Sequence, residues 1–410
     1  MFLAAAALTL ALPAAASAAS PVITVRTVTV GSPGNTSIGI VPFTDAVYPS
    51  CQGVAEKSPT GGGCIPVGGV KRSYGIGELE ITVSQWVTFL NTVDPGGKDR
   101  HRLYSKVESS VAWPKYGSIN HSKSKAHGTH YSVALPEWAN KPYAFSDFTR
   151  AARFVNAMQN GKVLKRTTTT VGAFEVTSYR VRLSAKTTTG MYDFSGKNKG
   201  LKRTAPSGFV IPSQDEWIKA AYFDPAAGGS DAAVPNYWKY PTNAGVFGDG
   251  DATAPTPSVL NATTGAVTNA ATQPISTYMN TDFPVPTWCP AQFTADQCSM
   301  INPFGNNPIE QPAMFKASVG SVGQTATRSP WGTLDQGGNV VEWTDTLGKP
   351  PVGTDKAIVW RRAHGGVANA AAYQLWLSAV GLAPSNATNV VNAYPWTGFR
   401  IGVVGSLVVK

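Results

Sequence analysis

Three stretches of the chain carry apolar residues at helical spacing, each behind a residue able to cap a helix and ahead of one able to end it. Val83, Trp86, Val87 and Leu90 follow Thr82-Val83-Ser84-Gln85, whose hydroxyl and amide have capping-box spacing, and Pro95-Gly96-Gly97 closes the run. Phe148, Ala151, Ala152, Val155 and Met158 repeat the pattern after Ser146-Asp147, with Asn160-Gly161 as the stop. Ser213-Gln214-Asp215-Glu216 forms another capping box, and Trp217, Ala220 and Ala221 make an apolar face before Asp224-Pro225. Between the second and third helices, residues 163–195 are rich in Thr, Val and Tyr. They alternate in Tyr179-Arg180-Val181-Arg182-Leu183, which predicts exposed antiparallel strands and a hairpin. Residues 226–330 are dense in Pro, Gly, Asn, Thr and Ala without periodicity and read as a long loop insertion lying on a core built by the rest. No repeat or linker divides the remainder, so residues 19–410 are expected to form a single domain.

Composition sharpens this picture. An apolar content of 42% in 410 residues is ample for a packed core, whereas 14% charged residues with 41 Gly and 30 Pro favour a loop-rich protein over a helical bundle. The net charge of +10 would suit an anionic partner, but the Lys and Arg are spread along the chain. The densest cluster, Lys197 to Arg203, reads as a solvated loop. No basic stripe interleaved with aromatics is present, and nucleic acid is not an expected partner. Residues 1–18 form an apolar run ending in Ala16-Ser17-Ala18, the small-residue pattern of a signal-peptidase site, although no Lys or Arg precedes it. A signal peptide predicts a secreted or cell-envelope protein, and no other stretch reaches the ~18 apolar residues of a transmembrane segment. The four cysteines fall into local pairs, Cys51 with Cys64 and Cys289 with Cys298. Disulfides within each pair suit export; a four-thiolate zinc site is the alternative, without its usual close spacing.

The densest chemistry lies in Thr333-Leu334-Asp335-Gln336-Gly337-Gly338-Asn339-Val340-Val341-Glu342-Trp343. Adjacent glycines let the main chain bend until carbonyl oxygens and the carboxylates of Asp335 and Glu342 converge, an all-oxygen arrangement suited to calcium. A glycine turn before a buried Trp343 is the plainer alternative.

Several motifs, in order, resemble the formylglycine-generating-enzyme (sulfatase-modifying-factor) family. Tyr74-Gly75-Ile76-Gly77-Glu78-Leu79-Glu80-Ile81-Thr82 with Trp86 and Phe89-Leu90-Asn91 is similar to the family's opening "IGKYEVTNAQYAAFLN". Asn140-Lys141-Pro142, Ile211-Pro212-Ser213-Gln214-Asp215-Glu216-Trp217 and the glycine loop resemble "NRPV", "LPTEAEWE" and "GLYDMGGNVWEW", with Phe148 where the family usually has tryptophan. Arg362-Ala363-His364-Gly365-Gly366 and Gly398-Phe399-Arg400 resemble the terminal "RVLRGGSW" and "GFR". The resemblance spans about residues 22–405. It implies an α+β, C-type-lectin-like fold of low regular secondary structure, with a twisted antiparallel sheet, a few short helices and long loops.

Carried over position by position, the resemblance implies a structural calcium held by the side chains of Asp335 and Glu342 and the main-chain carbonyls of Gly338 and Val340. A second calcium site would fall within 243–262, near Asp249-Gly250-Asp251 and Asn261. Family members that oxidise a substrate cysteine hold copper on two cysteines, and here the matching positions are Ala370 and Leu375. Thiolates are the soft ligands Cu(I) needs, so no copper and no such oxidation are expected. Iron-dependent relatives use a histidine triad; His121, His127 and His130 form the one histidine cluster here, and it reads as a solvated loop. No nucleophile elbow, Walker loop, dinucleotide fingerprint or zinc-protease helix is present. Residues 367–396 fall where the family's groove would lie, and Asn369, Tyr373, Trp376 and Trp396 there suit contact with a polypeptide or glycan ligand. The alternative is that Tyr373 and Trp376 belong to the core. The sequence therefore predicts a non-catalytic, calcium-stabilised recognition or envelope module, with a divergent metal-dependent oxidase as the second reading.

Overall fold

The structure, a computed structural model, describes residues 21–40, 47–48, 64–104, 118–196, 202–226, 236–242, 254–259, 267–269, 274–276, 327–348, 359–366, 375, 381–384 and 397–407. In chain order these give strands Val22–Val30 (β1), Ile38–Ile40 (β2), Val47–Tyr48 (β3), Ile65–Val67 (β4) and Tyr74–Gly77 (β5), then helix Val83–Val93 (α1). Strands Ile119–His121 (β6) and Tyr131–Val133 (β7) follow, then helix Phe148–Gln159 (α2), strands Lys162–Val171 (β8), Phe174–Arg182 (β9) and Gly208–Val210 (β10), and helix Gln214–Tyr222 (α3). Thr256–Pro257 (β11), Ile275–Ser276 (β12), Val341–Leu347 (β13), Trp360–His364 (β14), Gly381–Pro384 (β15), Thr397–Gly398 (β16) and Gly402–Val404 (β17) complete a mixed α+β architecture, mostly strands with short helices.

The principal sheet has the order β10-β17-β5-β1-β9-β8, and every pairing in it is antiparallel. The long central strand β1 buries Ile23 and Val25 and, further along, Val28 and Val30, while Thr24, Arg26 and Thr29 face solvent. The hairpin expected within residues 163–195 is β8–β9, whose second strand ends at Arg182. Val171 pairs with Phe174, leaving Gly172-Ala173 as a two-residue turn with Gly172 at φ 61°. A second sheet, β15-β14-β13-β16, is antiparallel except for the parallel pairing of β13 with β16.

All three predicted helices form with the caps the sequence indicates. In α1 the Gln85 amide N–H donates to Thr82 Oγ1 at 3.2 Å, and Gln85 Oε1 accepts from the Thr82 N–H at 2.9 Å. In α3 Ser213 and Glu216 close the same reciprocal pair, and Asp147 caps α2. The buried face of α1 puts Trp86 in a stack with Tyr143, ring centres 4.0 Å apart, and edge-on to Phe399. Phe154 and Val155 of α2 join the same core as Val176, Tyr179 and Val181 of β9. α2 and α3 both lie against β13 and so join the second sheet to the main core.

Of the loop expected at 226–330, the described residues include only short pieces, among them the parallel pair β11–β12. No helix among the described residues is long and apolar enough to cross a membrane. The proposed signal peptide lies outside them.

Asn156, fully buried on α2, fixes the segment that precedes β10. Its Nδ2 donates to Thr187 O at 2.8 Å and Tyr192 O at 2.7 Å, and its Oδ1 accepts from Tyr192 N at 2.9 Å. Truncation to alanine strands these main-chain groups, so Asn156→Ala is expected to lower unfolding free energy by about 2–3 kcal/mol in a denaturant titration. A change below about 0.5 kcal/mol would show that the segment does not depend on it.

Candidate functional site

The glycine loop enters β13 through left-handed backbone: φ is 58° at Asp335, 87° at Gly338 and 60° at Asn339. The Gly338 N–H donates to Gly365 O at 2.5 Å, so the two glycine motifs read from the sequence meet in space. Gly365 sits at φ 106°, and a Cβ there would lie 2.9 Å from Gln336 O, so a larger residue would force the loops apart. The Leu334 N–H donates to Glu78 O at 2.9 Å, stitching the loop to the end of β5.

At the start of β13, Glu342 is fully buried and gripped from two sides. Arg400, also fully buried, donates from Nη2 to Glu342 Oε1 at 2.5 Å and from Nε to Oε2 at 2.6 Å. Trp217 of α3 adds Nε1 to Oε2 at 2.8 Å. The remaining donors of Arg400 reach Gly77 O at 2.8 Å and Leu334 O at 3.1 Å. One guanidinium thus ties together the end of β5, the glycine loop and β13. His364, opposite Glu342 on β14, stacks on Trp217 with ring centres 5.2 Å apart.

Acid outweighs base here. Burial, then the charges of Asp335 and Glu342, push the Glu80 carboxyl well above the usual range, while Arg400 and a hydrogen bond from Asn339 pull the other way. Asn339 Nδ2 donates to Glu80 Oε2 at 2.9 Å; Glu80 Oε1 is buried with no hydrogen-bond partner among the described residues. For Arg400 burial opposes the charge, but the adjoining Glu342 overcomes it and raises the pKa.

A second buried network flanks the first. Arg203 donates from Nη2 to Glu216 Oε2 at 2.7 Å and from Nε to Asp345 Oδ2 at 2.5 Å, and Arg72 reaches Glu216 Oε1 at 2.7 Å. Arg203 is therefore not part of a solvated loop, as its place in a basic run suggests; burial of its partners draws it inward. Glu216 does more than cap α3. Burial opposes its charge, but the hydrogen bonds and charge of Arg203 hold its pKa down at about 2.

The four expected calcium ligands, Asp335, Gly338, Val340 and Glu342, are all buried in one loop-and-strand segment. Val340 packs with Ala144 and Phe145. Among the described residues no three or more His, Cys, Asp and Glu side chains are grouped to hold a metal; that is a different donor set from two carboxylates with two carbonyls. Of the cysteine-matching positions, Leu375 is fully buried and its carbonyl accepts from Tyr222 Oη at 2.9 Å, while Ala370 lies outside the described residues. Asn369, Tyr373, Trp376 and Trp396 also lie outside them, as do Cys51, Cys289, Cys298, Asp249, Gly250, Asp251 and Asn261. Cys64 is buried. Of the histidine cluster His127 is exposed, His121 stacks on Tyr131 at 4.6 Å, and His130 is buried with Nδ1 2.9 Å from Ser122 O. Sequence reasoning gave no role to Arg400 or Glu80; the signal for Arg400 was a lone cation in the otherwise apolar Gly398–Val404.

No family model matches the chain, and no curated protein matches it. Among solved structures it is similar to Treponema denticola variable protein 1, at 15% identity and TM-score 0.39 over 92% of this chain and 95% of that one. A CarF crystal structure aligns at 14% identity and TM-score 0.39 over 95% of this chain and 100% of its own. PvdO from Pseudomonas aeruginosa aligns at 10% identity and TM-score 0.36 over 93% and 94%. These are weak likenesses that run nearly end to end.

Two outcomes follow from the networks. Arg400→Met leaves Glu342 charged and buried and is expected to cost about 3–5 kcal/mol in a denaturant titration, whereas Glu342→Leu with Arg400→Met recovers much of that loss. The depressed pKa of Glu216 contributes stability that is complete above its ordinary value of 4.5 and is lost as pH falls toward about 2. The thermal midpoint of Glu216→Gln should accordingly fall less steeply than wild type over that window; parallel curves would contradict the assignment.

Proposed function

We propose that this chain is a non-catalytic relative of the formylglycine-generating enzymes, C-type-lectin-like in fold, exported to the cell surface or beyond and serving as a calcium-stabilised recognition module. The observation that carries the non-catalytic part is Leu375. A buried aliphatic side chain stands where the resemblance expects a thiolate, and its carbonyl is already engaged by Tyr222. An aliphatic side chain can neither ligate Cu(I) nor relay an electron.

Support for calcium comes from the charge balance of the glycine loop. Glu80, Asp335 and Glu342 lie within electrostatic reach of one another, with Arg400 as the cation paired to Glu342. A hard divalent cation held by Asp335, Glu342 and the carbonyls of Gly338 and Val340 would offset that excess and lock the left-handed backbone. Calcium supplies structural charge here and no redox chemistry. Recognition of a polypeptide or glycan is assigned to residues 367–396, with Asn369, Tyr373, Trp376 and Trp396 as contacts, on the strength of their composition. Disulfides Cys51–Cys64 and Cys289–Cys298 would pin loops in such an exported domain.

Calcium at a hundred times its dissociation constant is expected to stabilise the protein by about 2.7 kcal/mol, read as a higher melting temperature that chelator reverses. Asp335→Ala should abolish that response; a midpoint indifferent to chelator would remove the calcium assignment. Incubation with Cu(I) or Fe(II) and a cysteine-containing sulfatase peptide is expected to consume no oxygen and form no aldehyde. Aldehyde formation would establish the oxidase reading instead.

A further inference from the structure

We propose that the outer face of the β8–β9 hairpin is a binding surface for a linear acidic polysaccharide, built from residues other than 367–396 and independent of the calcium reading. Strand pairing assembles what the sequence disperses. Lys162 lies opposite Arg182 and Lys165 opposite Arg180, and all four side chains are exposed. Arg180 and Arg182, two residues apart on β9, share one face, while the intervening Val181 points into the core. The result is a two-by-two block of cations, about 5 Å apart across the strands and about 7 Å apart along them.

No acidic group answers this block among the described residues: none of the four takes part in a salt bridge there. The rows continue onto β1 through Thr24, opposite Arg180, and Val22, opposite Arg182, without meeting a carboxylate. Glu175, the acid of β9, is five residues from Arg180, about 17 Å along the strand and beyond the Debye length of about 10 Å at 0.1 M salt.

Like charges directly opposite one another in a sheet destabilise it. Lysines on an edge strand are ordinarily explained as a guard against edge-to-edge aggregation, which covers Lys162 and Lys165 on β8. It does not cover Arg180 and Arg182, because β9 is paired on both sides. Two arginines on an interior strand facing two lysines form a positive surface that an anionic chain would relieve. Hydroxyls exposed on the same face, Thr167, Thr169 and Thr24, can hydrogen-bond carboxylate and sulfate oxygens.

The same surface fits other anions less well. The exposed large apolar residues among those described are Leu135, Val259 and Leu347, none on this sheet, so nothing here would insert into a bilayer. The one tyrosine of the hairpin, Tyr179, is buried, which leaves no aromatic platform for stacked bases.

The test uses the full chain on immobilised heparin, with phosphatidylglycerol vesicles and duplex DNA as competing anions. Wild type should be retained on heparin and bind it more tightly than either competitor. Arg180→Thr with Arg182→Thr should bind about tenfold more weakly or worse and elute at lower salt. Arg180→Lys with Arg182→Lys should remain bound, which separates loss of charge from loss of fold. Lys123→Ser with Lys125→Ser removes the same charge from an exposed loop elsewhere and should behave as wild type. The proposal fails if wild type passes through heparin, if both charge-removing pairs weaken binding equally, or if vesicles or DNA bind more tightly.

Discussion

The fully buried pair of Glu342 and Arg400 is the constraint around which the centre of this protein is arranged. Neither charge is tolerable alone in such a place; together, with Trp217 donating to the carboxylate and main-chain carbonyls accepting from the guanidinium, they are satisfied. Satisfying them requires β13, the strand end at Gly77, the glycine loop and the segment after β16 to arrive at one point. These elements come from distant parts of the chain, so the ion pair acts as a registry mark: a shifted strand would leave a buried charge unmatched. Glu216, Arg203 and Asp345 do the same for α3 and β13.

Local structure was legible because its causes are local. The caps at Thr82, Asp147 and Ser213 fall where hydroxyl or carboxylate precedes an apolar helical stripe, and the helices begin there. The hairpin formed where Thr, Val and Tyr alternate, and the structure places Gly172, at positive φ, in its two-residue turn. The strands stop at Arg182 although Thr-rich sequence continues, because Asn156 of α2 and Asn160 just after it take the main-chain carbonyls of Thr187 and Thr189.

What was hidden is what depends on three-dimensional pairing. Arg203 sits in a basic run that suggests a solvated loop, yet Glu216 and Asp345 draw it inward. Glu80 shows no role in the sequence, because its significance comes from Asp335 and Glu342, more than two hundred residues later in the chain. The cations of β8 and β9 are scattered in sequence for the same reason: strand register makes neighbours of Lys162 and Arg182, and of Lys165 and Arg180.

The most direct test of this arrangement is hydrogen exchange at the Gly338 amide, which donates to Gly365 where the two glycine motifs meet. If the Glu342–Arg400 pair holds the loop, Arg400→Met should greatly accelerate exchange at Gly338 while amides of the β1–β9 ladder stay protected. Unchanged protection at Gly338 in that variant would mean that the loop holds its shape without the ion pair.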